Sequence, residues 1–417
     1  MRVTLIAPGS RGDIEPYLAL GGGLARAGHT VRVVTTMDHD VLVRERGFEL
    51  FSIPVSVERA LQARDASASI EGGGVVASFK QFAEIARRAA QHMAEQSLEA
   101  GAGADLLVTG FSGAFMAEGV AARLGIPLVQ AYNVPLTPTA AFSGALVPGL
   151  DLGPRSRLLG HRLTRVAMWT TARMSGNAAR MAVLGMPSAP RLPADRPGLV
   201  DGPVIYGVSE ALLPRGPEWS PDVTVTGFWF TDIPAGYAPP PALVDFLDAG
   251  PPPVCIGFGS MSQRDPEATT ALVLEAVKQA GVRAVLLAGW GGLGAGDLPR
   301  EIFALPGAPH GWLYPRCSAV VHHGGAGTTA AALRAGVPAI VVPFHGDQPF
   351  WAQRVHAAGA GPAPIPRTKL TAARLASALR EATERAELAS AARALGAQIR
   401  AEDGVGRAVE RIEQLAR

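Results

Sequence analysis

Cysteine, net charge and uninterrupted apolar sequence are all scarce in this chain of 417 residues. Its two cysteines, Cys255 and Cys317, exclude a disulfide framework and a four-thiolate zinc site and are typical of a reducing, cytoplasmic setting. The 38 Lys and Arg residues nearly balance the 36 Asp and Glu residues, which argues against a basic surface for nucleic acid or a polybasic anchor for anionic lipid. The uncharged stretch 124–150 contains four prolines, so we expect no membrane span there.

What the sequence does contain is hydrophobic residues, at 48%, together with 49 glycines and 34 prolines. Its length favours two or three domains, and its composition predicts folded domains with many tight turns. Short apolar runs alternate with helical stretches, which is typical of parallel sheets built from βαβ units. The predicted strands are 3–7, 30–35, 106–109 and 128–131 in the first half, and 254–258, 284–288, 319–322 and 339–342 in the second.

The segment between the two halves is rich in proline, which predicts a semi-rigid linker. We therefore expect an α/β protein with an N-terminal domain over 1–232, a linker over 233–252 and a second doubly wound domain over 253–396. The two domains are expected to face each other across a cleft that holds the ligands. Residues 397–417 have an apolar helical face and predict a helix that packs back on the N-terminal domain.

The segment 322–329, His-His-Gly-Gly-Ala-Gly-Thr-Thr, lies between a buried strand and an Ala-rich helix. Glycines let an anion approach the backbone, and the helix N-terminus supplies free N–H groups. Such a turn can hold a diphosphate through His323, Gly325, Gly327 and Thr328 without a metal ion. The alternative is an ordinary tight turn between strand and helix.

Two further turns follow predicted strands of the second domain. The turn at 257–262 can lend Ser260 to a phosphate. In the turn at 344–349, Asp347 and Gln348 have side chains suited to vicinal sugar hydroxyls, although either can instead cap the helix that follows.

The first predicted strand is followed by Gly-Ser-Arg-Gly-Asp-Ile-Glu-Pro at 9–16. Asp13 lies near a helix N-terminus, whose field keeps a carboxylate ionised and also makes it a weaker base. Asp13 is therefore a candidate proton acceptor that acts by its position, or else a simple N-terminal cap.

These segments together resemble the family 1 glycosyltransferases, and within them the sterol 3-β-glucosyltransferases and the bacterial natural-product glycosyltransferases. The likeness covers nearly the whole chain and is strongest over 252–355. It is carried by the motifs at 9–16, 225–230, 257–261, 312–329 and 342–351.

The resemblance implies a GT-B fold that binds a nucleotide sugar in the C-terminal domain and an acceptor in the N-terminal one. It implies a single inverting displacement with no metal and no cofactor beyond the nucleotide-sugar co-substrate. Asp13 falls on the general-base position of the family. His323 and Thr328 fall on diphosphate-contacting positions, and Asp347 and Gln348 on donor-sugar positions.

The sequence departs from the plant-type members at two positions. Gly110 stands near the aspartate that supports their catalytic histidine, so Asp13 is expected to act alone. Ala331 stands near the glutamate that holds the ribose. Nucleoside contacts are therefore assigned to Gly259, Pro309, His310 and Trp312, of which Trp312 can instead be a core residue.

Long connections at about 55–95 and 132–200 are expected to line an apolar acceptor cavity, because connections of such length are usually functional. The candidate lining residues are Ser10, Met93, Tyr132, Phe142, Met168 and Trp169, with ordinary core packing as the alternative for most of them. The favoured acceptor is a bulky lipophilic alcohol such as a sterol, triterpenoid or polyketide aglycone, and the favoured donor is UDP-glucose, with dTDP-sugars open.

Two other functions fit parts of the pattern: a GT-B nucleotide-sugar epimerase, and a catalytically silent auxiliary protein that activates another enzyme. The expected partners are small molecules, without nucleic acid and with at most peripheral contact to a membrane. A monomer and a homodimer fit the sequence equally well.

Overall fold

The computed structural model describes residues 1–62, 74–146, 152–234, 236–259, 265–288 and 298–416, with the backbone alone described at 61, 62 and 74–85. Within these ranges the chain forms two compact units. The first contains residues up to 231 together with those from 403 onward, and the second contains 232–402.

The first unit is built on a seven-stranded sheet in which every pair of neighbouring strands is parallel. Its strands are β1 (Arg2–Ile6), β2 (Thr30–Thr36), β3 (Glu49–Ile53), β4 (Leu106–Thr109), β5 (Leu128–Tyr132), β6 (Val204–Tyr206) and β7 (Val223–Val225), in the order β3-β2-β1-β4-β5-β6-β7. The four strands predicted in this half are confirmed. β3, β6 and β7 were not predicted.

Helices cover this sheet and close its core. They are α1 (Arg11–Arg26), α2 (Asp40–Glu45), α3 (Val57–Gln62), α4 (Gly74–Gly101), α5 (Ala114–Leu124) and α6 (Pro154–Ala182), with a 3₁₀ turn at Met37–His39. α1 buries Tyr17, Leu20 and Leu24 in the same core as Leu5 of β1, because these three residues recur on one face of the helix. This packing holds the start of α1 at the carboxyl end of β1.

The second unit has a five-stranded parallel sheet in the order β10-β9-β8-β11-β12. Its strands are β8 (Val254–Ile256), β9 (Ala284–Leu287), β10 (Ile302–Leu305), β11 (Ala319–His322) and β12 (Ala339–Val341). Its helices are α7 (Pro241–Asp248), α8 (Pro266–Ala280), α9 (His310–Leu313), α10 (Ala326–Ala335), α11 (Gln348–Ala357), α12 (Ala372–Glu384) and α13 (Ala386–Ala401), with 3₁₀ turns at Tyr314–Arg316 and Arg367–Lys369. All four strands predicted in this half are present, and β10 was not predicted.

The expected linker differs from the structure in one respect, since α7 lies within it. Pro240 is the N-cap of this helix and Pro241 its first residue, positions where the missing N–H and the fixed φ of proline suit a helix start. Proline richness therefore marked a helix N-terminus here as well as a stiff connection.

The last helix, α14 (Gly404–Leu415), packs back on the first unit as the fold prediction required. Val409 and Ile412 join the core formed by β1 and α1, and His29 Nε2 lies within hydrogen-bond distance of Glu413 Oε1, at 2.9 Å. The expected single element at 397–417 is divided, because 397–401 form the end of α13 and belong to the second unit.

In both sheets the strand order reverses beside the first strand, between β1 and β4 and between β8 and β11. Ligands of doubly wound folds bind at the carboxyl ends of strands at this point. The turns that follow β1, β8 and β11 carry the residues singled out by sequence.

Candidate active site

Asp13 is the third residue of α1, and its side chain turns back onto the residue that begins the helix. The backbone N–H and the hydroxyl of Ser10 both donate to Asp13 Oδ2, at 2.8 and 2.9 Å. Gly9 makes room for this arrangement: its φ is +144°, and a Cβ there would lie 2.5 Å from Asp13 Oδ2. The sequence therefore folds one carboxylate oxygen into the helix cap and leaves Oδ1 with no hydrogen bond to a described residue.

Burial raises the pKa of Asp13 above its ordinary value, although the two Ser10 hydrogen bonds and the nearby His39 act in the opposite direction. The sequence alone predicts that the field of the helix N-terminus keeps this carboxylate ionised and makes it a weak base. In the structure the loss of water around the carboxylate outweighs the hydrogen bonds, so Asp13 is a stronger base than an exposed aspartate.

Two aromatic side chains, one from after β2 and one from α1, lie close to the Asp13 turn. His39, buried after β2, lies within hydrogen-bond distance of the Gly9 carbonyl, with Nε2 3.0 Å from the oxygen. Tyr17 of α1 donates its hydroxyl to the Ala131 carbonyl, and burial together with the Asp13 charge raises its pKa. His39 therefore holds the turn and Tyr17 ties α1 to β5, and the sequence predicts a role for neither residue.

The two adjacent histidines at the end of β11 point in different directions and make different contacts. His322 accepts the Gly324 N–H on Nδ1 at 3.0 Å and so pins the glycine turn. His323 is buried beside Gly259 and Gly325: a Cβ on Gly259 would lie 2.9 Å from its Cε1, and one on Gly325 would lie 2.5 Å from its Nε2. Successive side chains of an extended strand alternate, which is why one histidine supports the turn and the other lines it.

The helix that follows this turn begins without a side-chain cap. Gly325 is the N-cap of α10, and the first helical hydrogen bond runs from the Thr329 N–H to the Gly325 carbonyl at 2.9 Å. The N–H groups at 326–328 precede that bond and have no acceptor within the helix. Thr328 is the third helical residue, is half-buried and does not cap the helix. We call His323, Gly325, Gly327 and Thr328 with these N–H groups the anion cradle.

The imidazoles around the cradle are neutral at pH 7. Burial, with the nearby His345 and His310, lowers the pKa of His323 to about 4, and burial lowers that of His345 to about 4. His323 Nδ1 is buried without a hydrogen-bond partner in the described part of the chain, as is His322 Nε2. A buried polar atom left unpaired is costly, so the cradle is suited to a ligand that supplies the missing partner. His345 lies in the motif at 342–351, and the sequence predicts no role for it.

The two residues assigned to the donor sugar lie after β12, where α11 begins. Asp347 is the N-cap residue of α11, and its Oδ2 accepts the Trp351 indole N–H at 2.7 Å. Gln348 accepts the Phe344 and His345 N–H groups on Oε1, at 2.8 and 3.2 Å. A Cβ on Gly324 would lie 3.1 Å from the Gln348 carbonyl, so this helix start adjoins the cradle.

The segment assigned to the nucleoside forms the short helix α9, with Pro309 as its N-cap. His310 stacks on Tyr314 with ring centroids 4.4 Å apart, and a positive charge on His310 would lower the pKa of both His322 and His323. Trp312 is half-buried, with the Arg316 guanidinium 4.3 Å from the centroid of its ring. Trp312 is therefore not a core residue. Gly259, assigned to the same group, lies against His323, and Ser260 lies outside the described residues.

Most of the residues assigned to the acceptor are packed in the first unit. Ser10 donates its hydroxyl to Asp13, Tyr132 is fully buried and donates to Gln130 Oε1 at 2.6 Å, and Trp169 donates to the Pro190 carbonyl at 2.9 Å. Met93 and Phe142 are buried, and Met168 is half-buried. The structure thus gives Tyr132, Phe142 and Trp169 packing roles, and an acceptor contact by any of the six stays a prediction.

Two searches of the described residues bear on metal and membrane chemistry. No group of three or more His, Cys, Asp or Glu side chains is placed to hold a metal ion within the described ranges. None of the helices described there is both long and apolar enough to cross a membrane.

Family models match both ends of the chain. Residues 3–116 match the glycosyltransferase family 28 N-terminal domain, and residues 287–415 match the erythromycin biosynthesis protein CIII-like C-terminal domain. The first match contains the Asp13 turn and the second contains the cradle.

Curated relatives match almost the entire chain. The sterol 3-β-glucosyltransferases UGT80A2 and UGT80B1 of Arabidopsis thaliana are 32% and 33% identical over 98% of the chain, which spans 65% and 67% of their own lengths. A sterol 3-β-glucosyltransferase of Cryptococcus neoformans is 35% identical over 99% of the chain, which spans 27% of its length.

Solved structures support the fold at lower identity. The glycosyltransferase of kitacinnamycin covers 100% of this chain and 99% of its own, with a TM-score of 0.70 at 20% identity. Streptomyces sp. SF2575 SsfS6, complexed with thymidine diphosphate, covers 99% of each chain with a TM-score of 0.62 at 21% identity. The chain has the GT-B fold and belongs to the glycosyltransferase family that contains the sterol 3-β-glucosyltransferases.

Proposed function

We propose that this chain is an inverting glycosyltransferase that moves a hexose from a nucleoside diphosphate sugar to the hydroxyl of a bulky lipophilic acceptor. The observation that carries the proposal is the anion cradle, where a buried neutral histidine with an unpaired ring nitrogen adjoins an uncapped helix N-terminus. A diphosphate supplies hydrogen-bond acceptors for the N–H groups of this site.

The role proposed for Asp13 is that of general base. The acceptor hydroxyl gives its proton to Asp13 as the hydroxyl oxygen forms a bond to the anomeric carbon. Oδ2 is held by Ser10 and Oδ1 has no bond to a described residue, so Oδ1 is the oxygen assigned to the proton. The raised pKa of Asp13 favours proton transfer, since a stronger base takes the proton more readily.

The leaving group is assigned to the cradle. As the bond from the anomeric carbon to the diphosphate oxygen breaks, its electron pair stays on that oxygen. N–H donors fixed before the reaction stabilise this charge most effectively in a site that excludes water. The helix dipole of α10 acts in the same direction.

The donor and the acceptor are assigned by family membership. UDP-glucose is the favoured donor, and the name of the sterol enzymes makes a sterol-like alcohol the first acceptor to test. Asp347 and Gln348 are assigned to the sugar hydroxyls, and the 309–312 segment with Gly259 to the nucleoside.

The test is a transfer assay read by mass spectrometry. The purified chain is incubated with UDP-glucose or dTDP-glucose and a panel of sterols, triterpenoids and polyketide aglycones. We expect an acceptor mass gain of one hexose together with equimolar nucleoside diphosphate. Donor loss with epimerised sugar and no acceptor gain would identify an epimerase, and binding without donor loss would identify an auxiliary protein.

A further inference from the structure

The helix α6 leaves a row of large apolar side chains in water. Its inner face packs on α4 and α5, whereas five residues point outward: Leu159, Leu163, Val166, Met174 and Met181. Leu163 is 50% exposed and Met174 is 75% exposed. The spacing of these residues places them within one stripe of the helix surface, about 33 Å long at 1.5 Å per residue. We call them the outer stripe.

Arginines dominate the charge around the outer stripe. Residues 151–197 contain eight arginines against two aspartates, in a chain whose net charge is only +2. The near-zero net charge of the whole chain therefore does not indicate the local excess of positive charge in this region.

The eight arginines of this region divide into two groups. Five are tied to the unit: Arg157, Arg165 and Arg173 donate to backbone carbonyls, and Arg180 and Arg196 form ion pairs with Glu118. Arg155 and Arg162 are exposed, and neither pairs with an acidic side chain in the described part of the chain. At 100° per residue both fall along one flank of the outer stripe.

The segment that follows α6 adds to the same flank. Arg165, Trp169 and Arg173 hold residues 189–194 alongside the helix through three carbonyl bonds. This segment exposes Arg191 and Leu192. Asp195 follows this segment and is exposed, with its Oδ1 4.0 Å from Arg165 Nη1.

We propose that the outer stripe of α6 binds the surface of an anionic lipid bilayer. A helix with an exposed apolar stripe and arginines on its flank lies in the interface of such a bilayer, with apolar side chains among the acyl chains and guanidinium groups among the phosphates. A second copy of this chain would bring the same arginines to the contact and so would supply no opposite charge.

The test is vesicle co-sedimentation of the purified full chain, which needs no sugar transfer and is therefore independent of the proposed function. We expect binding to vesicles of phosphatidylcholine mixed with phosphatidylglycerol, weak binding to phosphatidylcholine alone, and release by salt. The double variants Leu163→Glu with Met174→Glu, and Arg155→Glu with Arg162→Glu, should each lower the partition coefficient by about tenfold or more.

Matched exposed positions elsewhere serve as controls. Val41→Glu on α2, where valine is 68% exposed, and Arg407→Glu on α14 should bind as the unmodified chain does. Urea unfolding checks that all variants are folded. Absence of binding to the anionic vesicles, or equal binding by the stripe variants and the controls, overturns the proposal. A dimer in light scattering that is lost in Leu163→Glu, without vesicle binding, would instead identify a second copy as the occupant.

Discussion

The turn after β1 and the turn after β11 each lie beside the point where the strand order of their sheet reverses, yet they leave opposite kinds of group unpaired. In the first, Ser10 satisfies one oxygen of Asp13 and burial raises the pKa of the carboxyl. In the second, His323 is buried, neutral and without a partner on Nδ1. Under the proposed function, the first turn supplies a proton acceptor and the second supplies a hydrogen-bond donor for an anion.

The largest effect is expected from Asp13→Asn, which removes the proton acceptor and keeps an oxygen for the Ser10 N–H. Turnover should fall by about 10²–10⁴-fold, the usual contribution of a general base. UDP affinity should not change, because Asp13 belongs to the other turn. Steady-state kinetics and calorimetric titration with UDP measure the two quantities.

The control for this change is Asp222→Asn, at an exposed aspartate of the same unit. Turnover close to normal in Asp13→Asn would show that Asp13 acts only as part of the helix cap.

The second largest effect is expected on the affinity of the anion cradle for UDP. His323→Ala should weaken UDP binding by about 10- to 100-fold, the value of one hydrogen bond to a charged group. His356→Ala, at an exposed histidine of the same unit, should leave binding unchanged. Equal affinity in both variants would show that the unpaired ring nitrogen does not meet the diphosphate.

A smaller effect is expected from Gly327→Ala. A Cβ at this position meets nothing within 4 Å, and neither does one at Gly307, so both alanines fit the fold. Only Gly327 lies in the cradle, and its methyl group should lower UDP affinity by about tenfold while helix stability is kept or raised. If Gly307→Ala and Gly327→Ala bind UDP equally, the anion does not approach this helix start.

The smallest effect is expected on the pH dependence of stability, through the buried histidines of the second unit. His322, His323 and His345 have pKa values of about 3, 4 and 4 in the folded chain against an ordinary 6.5, so below pH 6.5 the unfolded chain takes up more protons. The free energy of unfolding should therefore fall as the pH is lowered from 6.5 toward 4, as urea unfolding can measure. His323→Asn should make this decline shallower, and an unchanged slope would contradict the low pKa of His323.

Much of the architecture was readable from sequence, because continuous apolar runs between Gly and Pro mark strands covered on both faces. The strands that escaped prediction are short or bear a weaker pattern: β6 and β7 have three residues each, and β3 is partly exposed along most of its length. The positions of Asp13 and His323 at strand ends followed from the same logic.

The electrostatics and the acceptor residues were not readable in the same way. Whether burial or hydrogen bonding dominates the pKa of Asp13 depends on how closely Gly9 and Ser10 fold over it, which no local pattern states. Likewise, Tyr132 and Trp169 are large and amphipathic, and only their contacts reveal that their polar atoms bond Gln130 and the Pro190 carbonyl.

The placement of α14 gives the polypeptide an inserted topology. The chain leaves the first unit at 231/232 and re-enters it at 402/403, so among the described residues the second unit is a single segment whereas the first is assembled from segments on both sides of it. Truncation after residue 402 would therefore spare the second unit and remove Val409 and Ile412 from the core that contains Leu5 and Ile14, so that a deletion beyond the second unit would disturb the first.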